Sequence, residues 1–252
     1  MNNDKFKIQD NQYLRPYHHL LDLENYSFFD VLSWGLEYYS YVSFIIEHFQ
    51  KLSKNKNIEN VAEVGCGDGK ILLELALRHK NILFEGFDLS KRAILFAKAF
   101  SYGLDNLKFF NCDFKNAKKK YDIILCIETL EHIPDNEIDD FLEVIHNNLK
   151  DSGLLLLSVP TTNLKLNPKH YRHYNVELLT NQTKPYFNLK EIYFIHNFKS
   201  IKTRIINFLL VNKFFILNNV RLRSIFIKYY RTNLRMTNEK NAAHLFAVFQ
   251  KK

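Results

Sequence analysis

Among 252 residues the chain has only 7 glycines, 5 prolines, 3 cysteines, 2 methionines and 1 tryptophan. So little glycine and proline excludes a collagen-like or low-complexity chain and leaves room for long regular elements. The cysteines, Cys66, Cys112 and Cys126, are odd in number and irregular in spacing. They exclude a paired disulfide framework and suit reduced thiols. No apolar run approaches the ~18 residues of a membrane-spanning helix. Residues 1–12 lack the apolar stretch of a secretory signal, so a cytoplasmic protein with a mobile N-terminal tail is expected. Acid is missing from one region. Between Phe198 and Asn238 the sequence has nine Lys and Arg and no Asp or Glu, although the whole chain is only +8. The basic character belongs to that segment and not to the fold.

What is present is 46% hydrophobic and 25% charged residues, a balance that supports one sizeable domain with a real core. Asp30 to Lys54 carries Val31, Trp34, Leu36, Tyr38, Val42, Ile45, Ile46 and Phe49 at helical spacing. After it, apolar runs alternate with helical patterns. The runs at 60–64, 82–87, 107–111, 121–127, 154–159, 189–195 and 243–249 read as strands. Segments 70–78, 91–102 and 137–149, and a short one after Asn175, read as helices. The strands are continuously apolar, as in a parallel sheet covered on both faces. The expected fold is therefore α/β, a doubly wound, mostly parallel seven-stranded sheet. Residues 1–57 form the tail and a cap helix, and 58–252 the main domain. Segment 198–238 is a basic insert of two amphipathic helices before the last strand, elaborating a lid.

The first chemical motif is Val61-Ala62-Glu63-Val64-Gly65-Cys66-Gly67-Asp68-Gly69-Lys70, between the first strand and the helix that follows. Glycines there allow a sharp turn and close approach to a ligand. A dinucleotide fingerprint needs Gly-x-Gly-x-x-Gly, whereas these glycines fall at 65, 67 and 69. Glu63, two residues ahead of them, suits a cationic ligand better than a pyrophosphate. Asp88 ends the second strand, where a carboxylate can accept from both hydroxyls of a ribose. Asn111-Cys112-Asp113-Phe114 ends the third strand, and Tyr121-Asp122 leads the fourth, which closes on Glu128. These four motifs, in this order, resemble those of the class I S-adenosylmethionine (SAM)-dependent methyltransferases over residues 58–195 and the closing strand. The resemblance implies a Rossmann-like fold and SAM as cofactor. It implies cofactor contacts from Glu63, Gly65, Cys66, Gly67, Asp88, Leu89, Asp113, Phe114 and Glu128. Tyr17 and His18 are candidate lid residues over that pocket.

A second cluster follows the fourth strand. Glu128, Glu131 and His132 stand at i, i+3 and i+4, so one helical face brings two carboxylates and an imidazole together, as a divalent cation requires. After the fifth strand, Lys169-His170-Tyr171-Arg172-His173 offers a fourth ligand from His170 or His173. The arrangement resembles the metal-dependent small-RNA 3′-terminal 2′-O-methyltransferases. That resemblance implies Mg²⁺ or Mn²⁺ on Glu128, Glu131, His132 and His170, with His173 left as general base. The same Glu-x-x-Glu-His string occurs in ubiquinone-type O-methyltransferases, so it does not identify the acceptor. The alternative is structural: Glu131 and His132 cap the next helix or pair with Arg172, no ion binds, and His132 or His173 is the base. His146, His196 and His244 read as structural.

The expected reaction is O-methylation of a small anionic metabolite, phosphorylated or nucleotide-linked, such as a surface-polysaccharide or capsule precursor. RNA 3′-terminal 2′-O-methylation and a catalytically idle SAM-binding protein are the alternatives. The basic insert would grip a phosphate, follow an RNA backbone or lie on an anionic membrane surface, or form a lid with solvated cations.

Overall fold

Along the central strands successive apolar residues turn to opposite faces. Ile123, Leu125 and Ile127 enter one core, and Ile124 and Cys126 the other. Both faces are covered, which is why the runs are continuous instead of alternating. The computed structural model describes residues 3–13, 16, 18, 21, 22, 27, 28, 35–212 and 214–252. Val31, Trp34 and Tyr17 lie outside them.

The chain opens with α1 (Asn3–Gln12) and a minimal antiparallel pair, β1 (Leu21–Asp22) and β2 (Ser27–Phe28). The cap helix α2 is Gly35–Asn55. Then follow β3 (Asn60–Val64), α3 (Lys70–Arg78), β4 (Leu83–Asp88), α4 (Lys91–Phe100), β5 (Leu107–Asn111) and β6 (Tyr121–Ile127). Next come α5 (Ile138–Asn148), β7 (Leu149–Pro160), α6 (Val176–Thr183) and β8 (Phe187–Asn197). The insert forms α7 (Ile201–Leu210) and α8 (Val220–Asn233) before β9 (Ala242–Lys251).

The main sheet has seven strands in the order β5-β4-β3-β6-β7-β9-β8. It is parallel except for β9, which runs antiparallel to both β7 and β8. Strand order reverses between β3 and β6, and a doubly wound sheet opens its ligand crevice at the carboxyl ends of such a pair. One face is packed by residues of α2, α3, α4, α7 and α8, the other by α5 and α6.

Two expectations need correction. Residues 3–12 are helical, not a loose tail. Their apolar signal is sparse, and polar contacts dock them instead: Lys5 Nζ donates to the carbonyls of His170 (2.7 Å) and Pro168 (2.9 Å), and Ser90 hydrogen-bonds Asp10. The insert does form two helices, but they are no lid. The α8 side is tied to α2, where Glu47 accepts from Arg231 (2.7 Å) and Arg235 (2.9 and 2.7 Å), and α7 packs beside α8.

Candidate active site

The turn after β3 is held open by glycine. Gly65, Gly67 and Gly69 all have positive φ. At Gly65, with φ +71°, a Cβ would stand 2.4 Å from Thr129 Oγ1 on the turn after β6, so a side chain is excluded by conformation and by space. The turn is pinned by the carboxylate of Asp88 at the end of β4. Its Oδ2 accepts from Gly67 N (2.9 Å) and its Oδ1 from Ser90 N (2.7 Å). Burial pushes the Asp88 carboxyl upward, and those two amides oppose the rise.

Glu63 is buried with Oε2 lacking any hydrogen bond. Burial first, and then the neighbouring Asp88 and Asp68, raise its carboxyl well above the usual range. A buried carboxylate in that position is completed by a cation, which is what the amino and sulfonium groups of SAM supply. The residues therefore fit the cofactor. Every residue named for it from sequence lines one crevice of about 1490 Å³. A pocket for one small ligand holds roughly 300–1,000 Å³, so there is room for a second. His18 also lines it, with Nδ1 2.8 Å from Asp68 Oδ1 and its ring 5.4 Å from that of Tyr38.

At the other end of the crevice the Glu-x-x-Glu-His string divides. Glu131, His132 and His170 converge, with one donor atom of each within 4.8 Å of the others. Glu128 does not join them. It sits at φ 49°, and its Oε1 accepts from Ser158 Oγ (2.6 Å) while Oε2 lies 3.1 Å from His244 Nδ1. Spacing of i, i+3 and i+4 brings side chains together only on a continuous helical turn. Glu128 is instead in the left-handed region, just before the short 3-10 turn Leu130–His132.

His173 also departs from its expected role as base. Its Nδ1 faces the Leu164 carbonyl (3.2 Å), so that nitrogen carries the proton and Nε2 is the acceptor. Nε2 is occupied, because His170 Nδ1 donates to it at 2.9 Å. This leaves the lone pair of His170 on Nε2. By the same logic, His132 Nδ1 donates to the Lys169 carbonyl (3.3 Å), and its lone pair lies on Nε2, 3.9 Å from Glu131 Oε1. Burial, and then the charge of Lys169, hold the His132 imidazole down near 3. Burial, and then His132, hold His170 down to about 2. Imidazoles this weakly basic are poor proton acceptors, which also counts against His132 as base.

Glu131 is fully buried and neither carboxylate oxygen has a hydrogen-bond partner. Burial, and then Glu128, push its carboxyl far upward. Two neutral imidazoles with oriented lone pairs, each steadied through its other nitrogen, beside an unsatisfied carboxylate, form a donor set for a divalent cation.

The sequence reading missed three contributors. His244 opens β9 and lines the crevice, with Nε2 3.0 Å from Glu37 Oε1 of α2 and Nδ1 against Glu128. Burial alone would lower its imidazolium, but the Glu128 and Glu37 carboxylates overcome that and raise it to about 10. Tyr41 packs its ring 4.7 Å from that of His244. His196, by contrast, is structural as expected, with Nδ1 2.8 Å from the Tyr230 hydroxyl. Asp122 is structural too, and accepts from Glu59 N, Asn60 N and Lys150.

A glycine turn pinned by an acid at the switch point of this sheet defines the class I SAM-dependent methyltransferase architecture. The chain belongs to the methyltransferase domain family, whose model matches residues 37–195. It is 33% identical over 130 residues to a ubiquinone biosynthesis O-methyltransferase of Pelagibacter ubique, covering 48% of this chain and 51% of that one. It is 29% identical over 111 residues to a trans-aconitate 2-methyltransferase of Deinococcus radiodurans, covering 44% and 42%. The alignment thus spans about half the length of these relatives. Among solved structures it superposes on a magnesium protoporphyrin IX methyltransferase from Synechocystis with S-adenosylhomocysteine bound, at TM-score 0.63 and 14% identity over 99% of this chain and 100% of that one. It also superposes on the N-methyltransferase NodS from Bradyrhizobium japonicum, with TM-score 0.62, 12% identity and 99% coverage of both chains. At such identities these structures share the fold.

Proposed function

We propose that this chain transfers the methyl group of SAM to an oxygen of a small anionic acceptor, with a divalent cation held by Glu131, His132 and His170. The observation that carries the reading is the Glu131 carboxylate, buried without a hydrogen bond on either oxygen, with a donor atom of His132 and one of His170 within 4.8 Å of it and of each other. An ion bound there would supply Lewis acidity, lowering the pKa of the acceptor hydroxyl.

The chain's own groups do the rest. Glu63 and Asp88 fix the cofactor. His173 sets the tautomer of His170, and the Lys169 carbonyl sets that of His132. The acceptor hydroxyl gives its proton to solvent water in the crevice, its oxygen attacks the methyl carbon in line as the carbon–sulfur bond breaks, and S-adenosylhomocysteine is left; positioning of the two substrates supplies much of the rate. Lys5, Lys165 and Lys169 line the acceptor end of the crevice and suit a negatively charged molecule of the phosphorylated or nucleotide-linked kind, such as a glycan precursor. Two names among the relatives support this reading, an O-methyltransferase and an enzyme named for trans-aconitate, a small carboxylate. The alternative of an RNA acceptor is weakened by the insert: among the described residues, none of 198–238 lines the crevice.

The test uses Mn²⁺ alone. Calorimetry on chelator-treated protein should show one Mn²⁺ site, with Glu131→Gln and His170→Ala each weakening it by ~10–100-fold. Equal Mn²⁺ binding by wild type and both variants, or none by wild type, sinks the metal reading. S-adenosylhomocysteine binding measured alongside tests the cofactor reading on its own.

A further inference from the structure

The basic segment is fastened to the body by one side of each helix and offers the other side to solvent. Thr203, Ile206 and Leu210 of α7 and Arg223, Ile227 and Tyr230 of α8 are buried. At 3.6 residues per turn, Ile201, Ile205 and Phe208 fall opposite the buried side of α7, and Leu222, Ile225 and Tyr229 form a second outward stripe on α8. These six residues are between 42% and 70% exposed. The connection adds exposed Phe214 and Phe215 at its tip. Lys202 and Arg204 flank the α7 stripe, Arg221 and Lys228 border that of α8, and all four are exposed. Exposed apolar residues gathered on one side of each helix in this way mark a site of interaction.

We infer that the α7–α8 hairpin docks on an anionic lipid bilayer, lying in its interface with the two apolar stripes inserted and the bordering cations at the phosphates. Charge chooses this occupant. With no Asp or Glu from 198 to 238, a second copy of the chain would set one cationic face against another. An RNA strand would call for aromatic platforms between cations, whereas the outward stripes are mainly Ile and Leu. A bilayer surface satisfies both halves of the pattern.

Length decides the orientation. Helices of 10 and 14 residues reach only ~15 and ~21 Å, short of the ~30 Å hydrocarbon layer. No described helix is long and apolar enough to cross a membrane. Because β8 runs parallel to β6 and β7, the hairpin leaves the sheet at the same edge on which the crevice opens.

The full chain should be sedimented with vesicles of equal parts phosphatidylglycerol and phosphatidylcholine, and with vesicles of phosphatidylcholine alone, at ~0.15 M salt. Partitioning should be at least ~10-fold stronger on the anionic vesicles, since each cation near the surface contributes about fivefold. The triple variant Ile205→Ser/Phe208→Ser/Ile225→Ser should lose ~10-fold or more. Lys202→Gln and Lys228→Gln should each lose about fivefold. All these side chains are exposed, so circular dichroism and S-adenosylhomocysteine affinity should match wild type. Equal or absent sedimentation on the two vesicle types overturns the proposal. So does salt-sensitive capture of a labelled single-stranded RNA, or a dimer abolished by the triple variant, in protein that ignores vesicles. Loss of cofactor binding with vesicle binding intact would count against the proposed function and not against this surface.

Discussion

At the cofactor end of the crevice the charged groups lie close together in the chain, between Glu63 and Asp88, and backbone amides hold Asp88. At the acceptor end Glu37, Glu131, His170 and His244 come from four elements separated by most of the sequence. The first end is a local device: a glycine turn can be written in a few consecutive residues, and its anchor Asp88 receives two amide hydrogen bonds. The second exists only once the sheet has closed, because His244 reaches Glu128 through the antiparallel pairing of β9 with β7. At the first end, then, backbone amides shape the turn and hold Asp88 in place, whereas at the second the side chains neutralise or orient one another.

The comparison can be broken most severely at its backbone end. Asp88→Ala removes the anchor of the glycine turn and the acceptor for the two charge-assisted hydrogen bonds to a ribose that the family resemblance implies, each worth ~1.5–3 kcal/mol. Calorimetric affinity for S-adenosylhomocysteine should fall by at least ~100-fold; a change below tenfold would mean the anchor is misassigned. Gly65→Ala should follow, costing about 2–4 kcal/mol of stability through its positive φ and its collision with Thr129. Chemical denaturation measures that cost, and an undisturbed midpoint would refute the close approach.

The side-chain end should show itself in pH. His244 is held at about 10, above its ordinary value near 6.5. Its contribution is therefore complete below about pH 6.5 and is lost as pH rises toward 10. Wild-type stability should decline across that window, and His244→Gln should flatten the decline; parallel profiles would remove the ion pair from the account. The smallest effect belongs to α1. Lys5→Ala deletes a half-buried tether to the loop 168–170 and should raise KM for an anionic acceptor only ~2–5-fold, with kcat unchanged.

Much of the architecture was legible in the sequence because buried parallel strands are apolar on both faces, so β3 to β7 announce themselves as runs. The glycine turn and Asp88 were legible because their function needs only local spacing. The rest was hidden for physical reasons. Spacing alone cannot reveal that Glu128 adopts a positive φ and turns to Ser158 and His244 instead of joining Glu131. A hydrogen bond to His170 decides the fate of His173, and no string of residues displays it. His244 reads as structural in the sequence, and Glu37 gives no signal at all, because their partnership spans nearly the whole chain. α1 was missed because polar contacts hold it, and polar contacts leave no periodic apolar signature.

The contact between Gly65 and Thr129 has a consequence for how such a protein could change substrates. Thr129 donates to the carbonyls of Val64 and Ile127, so the turn that cradles the methyl donor and the turn that launches Glu131 and His132 are clamped face to face. The span between donor and recipient is thereby fixed by the scaffold itself. A new recipient molecule can be accommodated only by recarving the walls around it, never by sliding one turn along the other.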